Sequence, residues 1–110
     1  MASADRAELI NAYDNTILYV DHLLHGVIAT LKGLEGVRST MIYVSDHGES
    51  LGEGNLYMHG MPMSMAPREQ VEIPFIVWTS DSASLRSDIG EVGHYHVFHS
   101  IISRLGVASI

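Results

Sequence analysis

Apolar residues recur at alternating spacings of three and four through the first part of the chain: Ile10, Tyr13, Ile17, Val20, Leu24, Val27 and Leu31. That spacing puts them on one face of an amphipathic helix, predicted from about Ala7 to Lys32. Ser3 or Asp5 is placed to cap its start, and Gly33 to end it as a left-handed C-cap. Gly26 lowers helix propensity and leaves room for another backbone to approach. After a short connection, Leu34 to Ser39, the pattern changes. Thr40 to Ser45 holds a continuous apolar run, Met41-Ile42-Tyr43-Val44, which reads as a strand buried on both faces, as in a parallel sheet flanked by helices. Ile73 to Thr79 reads as a second buried strand, with Pro74 acceptable near its start. Ser80 to Gly90 is polar and turn-like, and Tyr95 to Leu105 carries Val97, Phe98, Ile101, Ile102 and Leu105 at helical spacing.

Between the strands, Gly48 to Ile73 follows no clean period. A loop of this length inside a small domain is either functional or disordered. Leu51, Leu56, Tyr57 and the methionines at 58, 61, 63 and 65 favour an ordered, packed segment, with the methionines read as core filling rather than as an adaptable apolar surface. Ser50-Leu51-Gly52-Glu53 is able to form one helical turn. The order helix, strand, long loop, strand, helix is that of an α/β fold. Two strands make a poor sheet on their own and leave unpaired edges. The chain is therefore expected to be a fragment of a larger domain, or to complete its sheet by self-association.

Composition narrows this picture. A length of 110 residues suits one domain, and 46% hydrophobic with 17% charged residues suits a folded one. A net charge of −7, with only six scattered Lys and Arg, excludes a nucleic-acid surface. With no cysteine there is neither a disulfide framework nor a thiolate metal site. No apolar run approaches the ~18 residues of a membrane span, and the N-terminus lacks the apolar core of a signal peptide. Seven histidines direct attention to metal chemistry.

The first strand runs straight into Ser45-Asp46-His47-Gly48-Glu49-Ser50-Leu51-Gly52-Glu53. Asp and His are common zinc ligands, and the carboxyl end of a strand is where open α/β sheets build their sites. Neighbouring strand residues point to opposite faces, so Gly48 is assigned the sharp change of direction that brings Asp46 and His47 to one place. Glu49 and Glu53 add carboxylates, Glu53 being read as a solvated residue near a helix N-terminus. His59, twelve residues after His47, is a candidate third ligand or a group that holds an anionic substrate. His94, His96 and His99 cluster at the last helix, and His94 is the best placed to line the Asp46 site. Asp21 and His25 share a helix face and read as ordinary surface. No Gly-x-Ser-x-Gly elbow, phosphate loop or dinucleotide fingerprint occurs. The residues alone describe a partial metal site without a nucleophile.

Several stretches together resemble the bacterial phosphoethanolamine transferases of the lipid A type. They are Tyr13 to Asp21, Ser45 to Glu53, Tyr57-Met58-His59-Gly60 with Pro62, Ala66 to Gln70, Ile73-Pro74 with Trp78, and His94 with Val97 to Ser100. The resemblance implies an alkaline-phosphatase-like, sulfatase-type α/β/α sandwich, of which residues 1–110 would be a single partial domain, the C-terminal part of the catalytic domain. It implies an inner-membrane enzyme with this portion in the periplasm. The activity implied is transfer of phosphoethanolamine from phosphatidylethanolamine to lipid A or a related glycan, through a zinc-activated threonine. By position, Asp46 and His47 match two zinc ligands, and His59 matches a histidine that contacts the phosphoryl group or a second metal. The family's nucleophilic threonine, and the glutamate sharing its zinc, belong to an earlier part of the domain, so no catalytic nucleophile is assigned here and the segment is expected to be inactive alone. Tyr95 stands where the family has an Asp after His94. Two alternatives are a sulfatase or phosphohydrolase of the same superfamily and a non-catalytic self-associating module.

Overall fold

The structure, a computed structural model, describes residues 3–81 and 90–107; most of the polar loop expected over Ser80 to Gly90 lies outside them. Helix α1 spans Ser3–Lys32, β1 Thr40–Val44, β2 Ser50–Leu51 and β3 Tyr57–Met58. Helix α2 spans Arg68–Val71, β4 Phe75–Thr79 and α3 Tyr95–Arg104. A turn of 3-10 helix, Glu53–Asn55, links β2 to β3. The helical turn expected over Ser50 to Glu53 is thus a strand first and a tight turn after it.

The two long strands pair with each other, but antiparallel, with Thr40 opposite Thr79 and Val44 opposite Phe75. This corrects the expected parallel arrangement. The ladder is extended at both ends, by Ser45 N donating to Pro74 O (3.4 Å) and Ser80 N donating to Ser39 O (2.9 Å). Burial on both faces is not observed either: Met41 is the one buried apolar side chain among the described residues, at 9% exposure. A continuous apolar run needs layers on both sides to be buried, and no helix of this chain covers both faces of the pair.

Helix α1 starts four residues earlier than expected, so Asp5 lies in its first turn rather than capping it. Gly33 closes it by donating its N–H to Thr30 O (3.1 Å) and is not left-handed; Gly36 is the first glycine with positive φ (72°). Its apolar face is only partly covered, and Ile17 and Val27 are 52% and 44% exposed. Its N-terminal end is tied down. Arg6 Nε donates to Leu51 O (3.0 Å), and its guanidinium pairs with Glu53 at 3.5 Å. The backbone amides of Glu53 itself and of Leu51, with Arg6 behind them, hold the Glu53 carboxyl below its ordinary 4.5. Glu53 therefore fixes the turn that α1 docks on, rather than standing free in solvent. The 30-residue helix projects beyond this contact. The radius of gyration is 17.6 Å, where a self-contained domain of this length would have roughly 13 Å.

The methionines do not fill a core: Met58, Met63 and Met65 are 68%, 82% and 66% exposed. The loop they sit in is ordered by polar bonds instead. Gly48 N donates to Gln70 O (3.0 Å), and the Gly48 α-carbon lies so close to Glu69 that a β-carbon there would fall on the Glu69 carbonyl. Gly48 is required by this close approach, not by a left-handed turn, since its φ is not positive.

Replacing Gly48 with Ala in the polypeptide that carries this stretch should cost roughly 2–4 kcal/mol in a denaturant titration. Gly26→Ala, where no atom lies within 4 Å, should instead gain about 1 kcal/mol from helix propensity. Equal effects at the two positions would contradict the contact.

Candidate metal centre

β1 delivers the chain to the site, and Ser45 stiffens its exit: Ser45 Oγ donates to His47 O (2.8 Å). His47 Nδ1 lies 2.8 Å from Gly48 O. With that nitrogen carrying the proton, Nε2 is left as the lone-pair nitrogen, the form in which histidine binds a metal. Asp46 Oδ2 is 3.7 Å from this Nε2. The other Asp46 oxygen accepts from His47 N (3.0 Å), and the side chain is 88% exposed. The two expected ligands are therefore together at the strand end, His47 half-buried and Asp46 in solvent.

His59 arrives from the next turn. In the β2–β3 hairpin Ser50 pairs with Met58 and Leu51 with Tyr57. One step further along the same register sets Glu49 opposite His59. The two are in contact, with His59 Nδ1 3.0 Å from Glu49 Oε2. The His59 ring stacks on His47 with centroids 3.7 Å apart and an interplanar angle of 27°. One donor atom each from His47, Glu49 and His59 lies within 4.8 Å of the others. The second Glu49 oxygen, Oε1, is buried with no hydrogen-bond partner among the described residues. A buried carboxylate oxygen left unpaired is unfavourable, and a cation is one of the groups that resolves it.

Gln70 locks the two loops together. It is 6% exposed; its Nε2 donates to Ser50 Oγ (2.9 Å) and its Oε1 accepts from Met61 N (3.3 Å). Its backbone carbonyl holds Gly48 N, so one residue ties the His47 loop to the loop that follows His59.

A cavity of about 540 Å³ opens over these groups. Its lining combines Asp46, His47, His59 and His94 with Met61, Met63, Val71, Ile73, Val92 and Tyr95. Two of the methionines expected in a core, Met61 and Met63, thus line this cavity. His94 reaches the site as expected, but through the backbone: its Nε2 lies 2.7 Å from Ser45 O. His96 and His99 do not join it. His96 Nδ1 accepts from Gly93 N (3.0 Å) at the start of α3, and His99 meets Phe98 edge-on at 5.6 Å. Asp21 and His25 are exposed on α1, as read. Glu49 is the residue that reading the sequence left unassigned. The signal for it was the hairpin register, which the irregular glycines of the loop obscure.

The family whose sequence signature is described as Sulfatase matches residues 2–107. The phosphoethanolamine transferase EptA of Helicobacter pylori is 44% identical over 106 residues, 93% of this chain and 20% of its own length. The phosphatidylethanolamine transferase Mcr-1 of Escherichia coli is 42% identical over 86 residues, 77% of this chain and 16% of its own. Among solved structures, the C-terminal periplasmic domain of the phosphoethanolamine transferase EptC from Campylobacter jejuni superposes with a TM-score of 0.67 at 51% identity, over 69% of this chain and 25% of that one. The soluble domain of lipooligosaccharide phosphoethanolamine transferase A from Neisseria meningitidis gives 0.66 at 49% identity, over 68% and 22%. The chain thus spans about a fifth of the length of the curated relatives it matches. The α/β fold class stands, as part of an alkaline-phosphatase-like soluble domain.

Gln70→Met removes both amide functions while keeping the volume. It should cost about 1–3 kcal/mol, because the buried Ser50 hydroxyl loses its partner. Histidine ring-proton shifts should report loss of the His47–His59 stack in the same variant, and an unchanged stack would show that Gln70 does not hold it.

Proposed function

The chain belongs to the sulfatase family, and we propose that it is the C-terminal part of the catalytic domain of a zinc-dependent phosphoethanolamine transferase. The donor in this reading is phosphatidylethanolamine, and the acceptor is lipid A or a related glycan. The observation that carries the reading is the junction of His47, His59 and Asp46 on one cavity with an apolar wall, in a segment 44% identical to a transferase over nearly its whole length. The E. coli relative is named a phosphatidylethanolamine transferase, and a Salmonella relative, 42% identical over 76 residues, a Kdo(2)-lipid A phosphoethanolamine 7''-transferase.

The donor set fits zinc: imidazole nitrogen and carboxylate oxygen, with a buried carboxylate oxygen left unpaired beside them. Asp46 and His47 would hold the ion. When bound, zinc lowers the pKa of a nucleophile and offsets charge on the transferred phosphoryl group. The remaining work falls to this chain's own residues. The Gly48 carbonyl holds Nδ1 of His47 and so aims Nε2. His59, held by Glu49 and stacked on His47, presents its ring to the phosphoryl group. His94 fixes the Ser45 carbonyl at the base of the loop. The apolar lining residues accommodate the acyl end of a phospholipid, while the polar ones meet the head group. The nucleophilic threonine comes from another part of the domain, and the segment alone is inactive. The intact enzyme is anchored in the inner membrane with this portion in the periplasm. A periplasmic domain among the similar structures supports this, and among the described residues no helix is long and apolar enough to cross a membrane.

In the intact polypeptide, transfer from phosphatidylethanolamine to lipid A should be lost on chelation and restored by zinc. His59→Ala should lower kcat/KM by roughly 10²–10³, the range for removing a group that stabilises transition-state charge. Hydrolysis of the donor without transfer would favour a phosphohydrolase, and zinc-dependent turnover by residues 1–110 alone would refute the division of the site. Expressed by itself, the segment should self-associate through its open strand edges and the uncovered face of α1. A monodisperse monomer in light scattering would count against that.

A further inference from the structure

We propose that Arg6 is a positioning residue for His59. From the first turns of α1 it clamps the turn end of the β2–β3 hairpin, and so sets the direction in which His59 leaves that hairpin. Its consequence for catalysis rests on the transferase reading of the cavity; the clamp itself does not.

The hairpin does not hold itself. Each strand contributes two residues, and a two-stranded pair of this kind is marginal in water. Met58, immediately before His59, has a φ of 66°. A non-glycine residue keeps that left-handed conformation only where its surroundings impose it. The backbone is thus bent at the step that aims His59, and a restraint from outside the hairpin must keep it bent.

Arg6 supplies that restraint on the opposite strand. Leu51 pairs with Tyr57, the residue before Met58. In an antiparallel pair alternate residues turn their main-chain groups away from the partner strand. Leu51 does so at both of its groups. Its N–H donates to Glu53 Oε2 (2.7 Å), and its carbonyl accepts from Arg6 Nε (3.0 Å). The Arg6 guanidinium then meets Glu53 at 3.5 Å, so the two side chains occupy the open edge of β2 as a third strand would. The guanidinium also lies against Gly52, whose φ is 107° and where a β-carbon would come within 2.9 Å of Nε and of the Tyr57 hydroxyl. The carbonyl and the carboxylate need two donors at a fixed spacing, which a guanidinium offers and an ammonium does not.

Packing does not replace the clamp. Leu9, Tyr13 and Thr16 of α1 and Leu51, Tyr57 and Met58 of the hairpin line a cavity of about 300 Å³ between the two elements. Side chains fix an angle between elements when they interdigitate closely, and this interface leaves that space open. At the site end Gln70 holds Ser50. The hairpin is therefore fixed at two points, and Arg6 is the one that joins it to α1.

The test compares the intact wild-type polypeptide with Arg6→Met, which keeps the aliphatic stem and removes every donor. The metal-free proteins are labelled with diethyl pyrocarbonate, and the rate at His59 is read by mass spectrometry against His22 and His25 on α1. The His59 rate should rise roughly 2- to 5-fold, the shift in an opening equilibrium expected from an exposed ion pair and one main-chain bond, while His22 and His25 keep their rates. Glu53→Gln keeps an acceptor for the Leu51 N–H but loses the ion pair, and should raise the rate less. In Arg6→Met, kcat for transfer from phosphatidylethanolamine to lipid A should fall roughly 10-fold, with KM and the melting temperature unchanged. Arg6→Lys should recover only part of each effect. A wild-type His59 rate in Arg6→Met would overturn the proposal. So would a lowered melting temperature with all histidine rates raised together, the mark of a merely structural role. A raised His59 rate in Arg6→Met, with no transfer by the wild type, would uphold the clamp and reject the transferase. Transfer by the wild type with an unaltered His59 rate in Arg6→Met would do the reverse.

Discussion

The main-chain contact between Gly48 and the Glu69–Gln70 peptide is the constraint on which the rest of the site depends. Gly48 N bonds to Gln70 O at 3.0 Å, and no side chain fits between the two backbones. That contact sets the metal loop against α2. From there the Gln70 side chain reaches Ser50 on one side and Met61 on the other. Every polar group in this chain of bonds is buried or half-buried, so each missing partner would carry a desolvation penalty of about 1–3 kcal/mol. The network is therefore specific as well as stabilising: it is satisfied in one relative placement of the loops. In that placement the two imidazoles stack and Glu49 meets His59.

Much of this was legible in the chain, and the reasons for the failures are physical. Helices α1 and α3 announce themselves by period, both long strands by continuous apolar runs, and Asp46 and His47 by the glycine that follows them; α2 does not announce itself. Strand pairing did not. A continuous apolar run predicts burial on both faces, but burial depends on which layers are present, and Met41 alone is buried here. Met61 and Met63 were misread for the same reason, since their apolar character suits the lining of a cavity as well as a core. Gly48 was singled out correctly for the wrong property, a turn instead of a close approach. Gln70 and Glu49 carry no local signal. Their roles follow from register and from long-range bonds spanning ten to twenty residues, which spacing alone does not reveal.

His94 shows how little separates lining a site from serving it. It faces the cavity, yet its Nε2 is occupied by the Ser45 carbonyl. A histidine committed to a backbone acceptor in this way fixes the exit of β1, and thereby the point from which Asp46 and His47 depart. The same division holds for the other histidines. His96 secures the start of α3 through Gly93, whereas His47 and His59 stack on each other and His59 meets Glu49.

A site built this way has an unusual energetic footing. With a single buried apolar side chain among the described residues, hydrophobic burial inside the chain supplies little of the order around His47 and His59. The order comes from a short hairpin, a glycine contact and one buried amide. Such bonds each contribute only about 0.5–1.5 kcal/mol net, so the order depends on several of them being satisfied together. A divalent cation held by Asp46 and His47 would bind the assembled arrangement and not the open one. By mass action, binding then contributes directly to folding, about 2.7 kcal/mol at a hundredfold excess over Kd. The metal in that case completes the structure of the loop as well as its chemistry.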